Sequence, residues 1–387
     1  MKKFISITLM VLFVQIRANA QLYNSFYGNN VNSCSIDTVY QNLTQFESLG
    51  IKELGTTSLT NTLLWLKNKY QSYGYSDISV DTFSYNGNDS YNLIVTKLGT
   101  VYPNTFVIVD GHYDTKNGPG ANDNGSGTII LLETERLLKE VQTDYSVKFI
   151  HFSLEENGLV GSTHYVNDIA YPNGMYIKLV FNIDQVGGDN SKINNTIVCE
   201  RDESYPSAAN ADSYAYTDTL AACMELYSSL SSNISNAYSS DYMPFQFKNY
   251  VITGLYEKNA TPFSHTINDS ISKMDIPYFF EVLKGAVGAT MYFAVAQDSA
   301  NSILENTLTS FSVYPNPTSG NLSIDIHSLI FPVKYSLAST LGNIVKEGYF
   351  FKNKNTLPIK ELDSGIYFLT VEENYQTVTR KIILNKP

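Results

Sequence analysis

The chain has 387 residues, of which 43% are hydrophobic, 13% aromatic and only 16% charged. That length leaves room for two or three domains of ~150 residues, and the balance excludes wholesale disorder, collagen and coiled coil. The net charge of −11 is unevenly spread: residues 21–307 carry 15 basic against 31 acidic side chains, while the segments on either side are net positive. Such a body repels phosphate backbones, so nucleic acid is not an expected partner.

At the amino end, Lys2 and Lys3 precede an apolar run from Phe4 to Val14, followed by Ala18-Asn19-Ala20. A basic start, a short apolar run and small residues predict a secretory signal peptide over residues 1–20. The run is too short for a hydrocarbon core that needs ~20 residues, and no later segment is longer or more apolar, so no membrane span is expected. Three cysteines, Cys34, Cys199 and Cys223, allow at most one internal disulfide. A Cys199–Cys223 pair and three buried thiols are both compatible with the sequence.

Helical spacing appears first over residues 59–73, where Leu63, Leu64, Leu66 and Tyr70 fall near one face and Trp65 joins the core. Short apolar runs at 92–97 and 105–109 read as strands. A Gly/Asn-rich loop, 116–127, leads into a helix over 128–139. Further strands are expected at 147–153, 179–183 and 250–255, with helices at 219–230 and 276–296. His151 lies within one of these strands and reads as a core residue; His164 reads as exposed. Strands alternating with helices over roughly 270 residues predict a 21–298 domain of α/β class, with a mixed, largely parallel central sheet flanked by helices. After a 299–310 linker, residues 311–387 hold only short alternating strands, at 322–326, 334–337, 344–349, 365–371 and 377–384, and predict a small all-β sandwich.

Loops at the carboxyl ends of parallel strands converge into sites, and here each strand end delivers an acid or a histidine. Gly111-His112-Tyr113-Asp114 follows one strand, Glu155-Glu156-Asn157-Gly158 another and Asp184 a third, with Gly120-Ala121-Asn122-Asp123-Asn124-Gly125-Ser126-Gly127 in the loop between. An imidazole with a carboxylate two residues on is a common ligand with its orienting partner. Of two adjacent glutamates, one can bind a metal while the other faces substrate. A shared Asp with further His, Glu and Asp ligands suits two zinc ions ~3.5–4 Å apart.

These motifs, with Asn182-Ile183-Asp184, Ser240-Asp241-Tyr242-Met243-Pro244-Phe245 and Ser264-His265-Thr266-Ile267-Asn268-Asp269, resemble the secreted di-zinc aminopeptidases, a family that includes bacterial leucyl aminopeptidases and shares its zinc exopeptidase fold with the transferrin-receptor ectodomain. The resemblance covers about residues 40–297. It implies that Asp123 bridges two zincs, that His112 and Asp184 complete one and Glu156 and His265 the other, that Asp114 orients His112, and that Glu155 is the general base acting on a shared water. It also implies a cis peptide bond after Asp123 and N-terminal trimming of peptide substrates; a monomer is expected. Family members commonly carry His where Tyr242 stands, which bears on substrate preference; Tyr238, Asp241 and Tyr242 are the candidate substrate-binding residues, Tyr238 lying about one residue off the usual spacing. Glutaminyl cyclases use the same metal frame but line their pocket with tryptophans, and a non-catalytic binding module is the remaining alternative. In the C-terminal region, Tyr314-Pro315-Asn316-Pro317-Thr318-Ser319-Gly320, Leu341-Gly342-Asn343, Ser364-Gly365-Ile366-Tyr367 and the run from Lys381 to Lys386 look like the sorting domain of proteins exported by the type IX secretion machinery. That resemblance implies passage through periplasm and outer membrane to the cell surface or medium.

Overall fold

A computed structural model describes residues 23–298, 311–326, 332–340, 342–373 and 376–386. The expected signal peptide and linker lie outside the described residues, as does His327. The chain divides into two compact units, one ending at Ala296 and the other beginning at Gln297.

In the first unit, α1 (Ser25–Val31), α2 (Ile36–Ser48) and α3 (Thr57–Ser72) come before any strand. Ser35 and Thr56 cap the second and third, their hydroxyls accepting from Thr38 N at 3.3 Å and Leu59 N at 3.2 Å. Then follow β1 (Ile78–Tyr85), β2 (Asn88–Lys97), β3 (Tyr102–His112), α4 (Gly125–Leu138), β4 (Tyr145–Phe152) and α5 (Val160–His164), which runs on into a wider π-type turn, Tyr165–Ala170. The unit finishes with β5 (Tyr176–Ile183), β6 (Thr196–Arg201), α6 (Asn210–Tyr227), β7 (Ser231–Asn236), β8 (Ile252–Glu257) and α7 (Ile276–Ala294).

The eight strands form one sheet in the order β1-β2-β4-β3-β5-β8-β6-β7. Its centre, β4-β3-β5-β8, is parallel, β6 and β7 run parallel to each other, and β1-β2, β2-β4 and β8-β6 are antiparallel. Side chains alternate between faces with the period of two that a strand imposes. Val107, Val109, Val147, Phe149, Leu179 and Phe181 join a large core beneath the helices α1–α4, α6 and α7. Ile108, Ile150, Phe152 and Val180 join a smaller one with Tyr165, Val166 and Phe245 on the other face. Burial on both faces is why these strands read as continuous apolar runs. Where β3 and β5 meet α4, only glycine fits: a Cβ on Gly127 would stand 2.2 Å from the Ile183 carbonyl oxygen. That close approach brings the start of α4 against the carboxyl ends of the central strands.

Several sequence expectations shift in detail. The 219–230 helix begins earlier, at Asn210, and α1, α2, β1, β6 and β7 were not foreseen. Trp65 is half-buried at the core's edge, packed edge-on to Phe46 with its Nε1 donating to Gln45 at 3.0 Å. His151 is fully buried and hydrogen-bonded to Tyr70 Oη. His164 is partly covered, stacked on Phe83 and held between Asp81 and Asp168 at 3.0 and 2.8 Å. None of the three cysteines is in a disulfide among the described residues. Among the described residues no helix is long and apolar enough to cross a membrane.

The second unit contains β9 (Phe311–Tyr314), β10 (Asn321–Ile326), β11 (Val333–Ser339), β12 (Ile344–Phe350), β13 (Lys354–Pro358), β14 (Gly365–Glu373) and β15 (Gln376–Leu384). They form a three-stranded sheet, β9-β10-β13, and a four-stranded sheet, β12-β11-β14-β15, both antiparallel. Leu322, Ile324 and Leu357 from the first share one core with Val333, Leu337, Leu369, Val371 and Ile382 from the second, as the all-β expectation required.

Candidate metal centre

His112 is the last residue of β3, Asp123 sits just before α4, Glu155 and Glu156 follow β4, Asp184 follows β5, and His265 lies in the loop after β8. Residues spread over 154 positions, from His112 to His265, thus converge at one end of the sheet. Three of the positions concerned are held in left-handed backbone conformations that non-glycine residues rarely adopt: Leu154, just before Glu155, at φ 60°; Gln185, just after Asp184, at φ 53°; and His265 itself at φ 59°. Such residues cluster where surrounding structure fixes a functional geometry. The Asp123–Asn124 peptide bond is cis.

Two triads result, His112/Asp123/Asp184 and Asp123/Glu156/His265, with Asp123 common to both. In the first, His112 Nε2 stands 3.3 Å from both Asp123 Oδ1 and Asp184 Oδ1. In the second, His265 Nε2 stands 3.1 Å from Asp123 Oδ2 and 2.9 Å from Glu156 Oε2. Two ligands ~2.1 Å from a tetrahedral zinc stand ~3.4 Å apart, close to these spacings. His112 Nδ1 donates to the Asp114 carbonyl at 3.1 Å, which in the neutral ring leaves the Nε2 lone pair facing carboxylates. Nε2 and the Asp184 Oδ1 opposite it are buried and have no hydrogen-bond partner among the described residues. Only a cation between them, a proton or a metal, makes that arrangement favourable.

The electrostatics show the same demand for positive charge. Burial lowers the His112 pKa, but Asp184, Glu155, Asp114 and Asp123 overcome it and hold the imidazole well above 6.5. Glu155 is pushed up to about 10, first by burial, then by Asp184, Asp241 and Asp114 working against His112. Glu156 is raised to about 7 by burial and by Asp123. Glu155 Oε2 lies 4.0 Å from His112 Nε2, beside the triads but a member of neither. These residues open onto a cavity of about 430 Å³ lined by Asp123, Glu155, Glu156, Asp184, Gln185 and His265, among others.

Asp114 faces His112 with both its backbone and its side chain: its carbonyl accepts from Nδ1 at 3.1 Å, and its carboxylate, 3.6 Å from Nδ1, accepts from the N–H groups of Glu155 and Glu156 at 3.1 and 3.2 Å. Of the three candidate substrate contacts, Tyr238 is 54% exposed, but Asp241 and Tyr242 are fully buried. Tyr242 spends its hydroxyl on Glu200 Oε2 at 2.6 Å and lines a smaller neighbouring cavity together with Tyr238, whereas Asp241, raised to about 7 by burial, lines neither that cavity nor the main one, so substrate contact does not fit the placement of Asp241.

Residues not singled out from the sequence hold the loop that carries Asp123. Asp269 accepts from Asn122 N at 2.9 Å and Asp123 N at 3.0 Å. The Asn122 side chain donates to Glu257 at 2.9 Å and accepts from Gly187 N at 2.7 Å. Asn124 caps α4 through Gly127 N at 2.8 Å and donates to Ile183 O at 2.8 Å, while Ser240 donates to Asp184 Oδ2 at 2.7 Å. Asn122, Asn124, Ser240 and Asp269 lie inside the motifs themselves; nothing in the sequence pointed to Glu257.

The comparisons with known proteins place the fold and the family. A segment is 34% identical over 172 residues to aminopeptidase YwaD of Bacillus subtilis, covering 43% of this chain and 36% of that protein, so the match spans about a third of the relative's length. The fold matches the Legionella pneumophila LapA aminopeptidase structure at a TM-score of 0.61 and 21% identity, covering 71% of this chain and 77% of that one. It also matches a Bacteroides thetaiotaomicron glutaminyl cyclase bound to N-acetylhistamine at 0.54 and 17% identity, over 68% and 98% of the two chains. Residues 312–385 match the secretion system C-terminal sorting domain. Residues 92–286, half of the chain and the stretch that holds both triads, match the model of peptidase family M28, and it is to this family that the protein belongs.

Proposed function

We propose that the protein is an exported zinc aminopeptidase that removes residues from the amino ends of peptides. The observation that carries this reading is the pair of triads sharing Asp123, with Glu155 beside them and outside both. In this reading His112, Asp123 and Asp184 hold one zinc and Asp123, Glu156 and His265 a second. Zinc bound there would act as a Lewis acid on the scissile carbonyl and lower the pKa of an attacking water.

The chain's own residues supply the rest. Glu155 takes a proton from the attacking water and returns it to the leaving amine, a role typically worth about 10²–10⁴-fold in rate. Asp114 fixes where Glu155 and Glu156 project by holding their backbone N–H groups. The Asp114 carbonyl keeps a proton on His112 Nδ1, so that Nε2 is the ligating atom. Surplus carboxylate around the 430 Å³ cavity suits the free α-ammonium of a peptide. The cyclase alternative is less supported: the cyclase neighbour shares the fold at 17% identity, and Trp65, the single tryptophan, packs against Phe46 and does not line this cavity. The sorting-domain match supports export by type IX machinery, which is then a partner of the second unit.

The test is to incubate the zinc-loaded full chain with a defined peptide mixture and follow the products by mass spectrometry. Peptides shortened one residue at a time from the amino end are expected, as is a loss of about 10²–10⁴-fold in Glu155→Gln with zinc content retained. Shortening from the carboxyl end, or full activity in the variant, contradicts the reading.

A further inference from the structure

Next to the main cavity lies a second one of about 200 Å³, sharing Asp184, Gln185 and Ser239 as wall residues with the first. At ~30 Å³ per water, that is space for a long side chain. Its remaining lining includes Glu200, Tyr238, Tyr242 and Tyr256, and no lysine, arginine or histidine. Tyr238 and Tyr256 meet edge-to-face, with ring centroids 6.3 Å apart. Asp184 is already engaged, with Oδ2 accepting from Ser240 and Oδ1 turned to His112. Glu200 is not. It is 3% exposed, Tyr242 donates to its Oε2 at 2.6 Å, and nothing among the described residues donates to Oε1. The neighbouring Arg201 does not compensate it, since its guanidinium pairs with Glu203 at 2.8 Å and stacks over Tyr214.

Burial raises Glu200 to about 8, so its charged form, at the side of an aromatic pocket without a cation, is costly unless a positive charge arrives from outside. The donor that gains most there is a cation, which meets an opposite charge in a low dielectric and aromatic faces on the way in. We propose that this side pocket receives a side chain of the substrate and selects basic residues, lysine or arginine, with Glu200 as the specificity determinant and Tyr242 as the residue that positions it. The inference rests on the aminopeptidase reading, because it takes the shared wall residues as the route from the reacting bond to the pocket. It also accounts for a tyrosine at position 242: the hydroxyl reaches Glu200 and, at 3.0 Å, accepts from Tyr238 N, tying the pocket's floor to its wall.

The experiment measures kcat/KM on otherwise identical peptides beginning with Lys, Arg, Leu or Glu, for the wild-type full chain, Glu200→Gln and Tyr238→Lys. The wild type is expected to favour Lys and Arg over Leu by at least 10-fold and over Glu by more, and the Lys/Leu ratio is expected to fall at least 10-fold in Glu200→Gln. Tyr238→Lys, altered at an exposed position on the wall, is expected to lower that ratio in the same direction even if the buried substitution fails to fold. Binding of lysinamide and leucinamide, measured by calorimetry, gives a readout independent of turnover. Hydrolysis with a preference for Leu, or a ratio that moves less than 2-fold in both variants, overturns the pocket assignment and leaves the aminopeptidase reading standing. No hydrolysis of any peptide overturns the aminopeptidase reading, and equal binding of the two amides then overturns the pocket as well.

Discussion

The two triads share one aspartate and differ in almost everything else. His112, Asp123 and Asp184 are all buried, and the histidine side chain is only 1% exposed. Its ring is fixed by the Asp114 carbonyl and Asp184 by Ser240. His265, in contrast, is 45% exposed and sits on a loop, with Glu156 as its partner at 2.9 Å. One half of the centre is therefore built into the sheet, where ligands are pre-positioned by strand ends, and the other is completed by a segment that reaches over from outside. Pre-positioned ligands cost little ordering on binding, whereas a loop ligand must be ordered. The buried triad should hold its ion more tightly.

Substitutions can break this contrast. His112→Ala removes a ligand and leaves the buried carboxylates of Asp123 and Asp184 facing each other without it, so it should have the largest effect: zinc loss from the buried half and a lower unfolding temperature, read by metal analysis and calorimetry. His265→Ala should cost only the exposed ion. On dialysis against a graded chelator the wild type should then lose its zinc in two stages and His265→Ala in one; simultaneous loss of both ions from the wild type would show the two halves to be equivalent. Asp269→Asn turns one acceptor beneath Asn122 and Asp123 into a donor and should weaken zinc binding ~10–100-fold, the usual cost of losing a residue that orients ligands. Because Asp123 serves both triads, both stages should shift; an effect on one stage alone would argue against Asp269 acting through Asp123.

A further expected effect, outside the metal centre, involves Lys52. It is fully buried behind the same loop, donates to the carbonyls of Gly50 and Pro119 at 2.8 Å, and is lowered to about 7 by burial, with Asp269 and Glu47 opposing the shift. An unfolded lysine titrates near 10.4, so between about pH 7 and 10 the unfolded chain binds more protons and stability rises with pH. The stability of Lys52→Met relative to wild type should accordingly be greatest near pH 7 and shrink towards pH 10. A difference that does not change with pH would mean that Lys52 titrates normally.

The parts of the molecule that could be read from the sequence are those whose signal is local. The central strands are apolar runs because both faces are covered, and His112, the Glu155-Glu156 pair and Asp184 come directly after such runs. The edge strands β1 and β7 were missed because much of each is exposed, so burial imposes no regular pattern. The buried positions of α1 and α2, Tyr27 and Val31 and then Val39, Leu43 and Phe46, do fall three and four residues apart as a helix requires, but they are few and set among polar residues in short segments. Asp269 and Glu257 act through hydrogen bonds to a loop more than 130 positions away, a relation that only the fold creates. Asp241 and Tyr242 sit in a motif that looks functional, yet burial directs one under the site and the other to Glu200.

The most direct test of the two-triad account is the position of zinc in crystals of the zinc-loaded protein, located by anomalous scattering at the zinc edge. Two sites are predicted on either side of Asp123, one touching His112 and Asp184 and the other Glu156 and His265. A single site, or sites that do not share Asp123, at saturating zinc would contradict it.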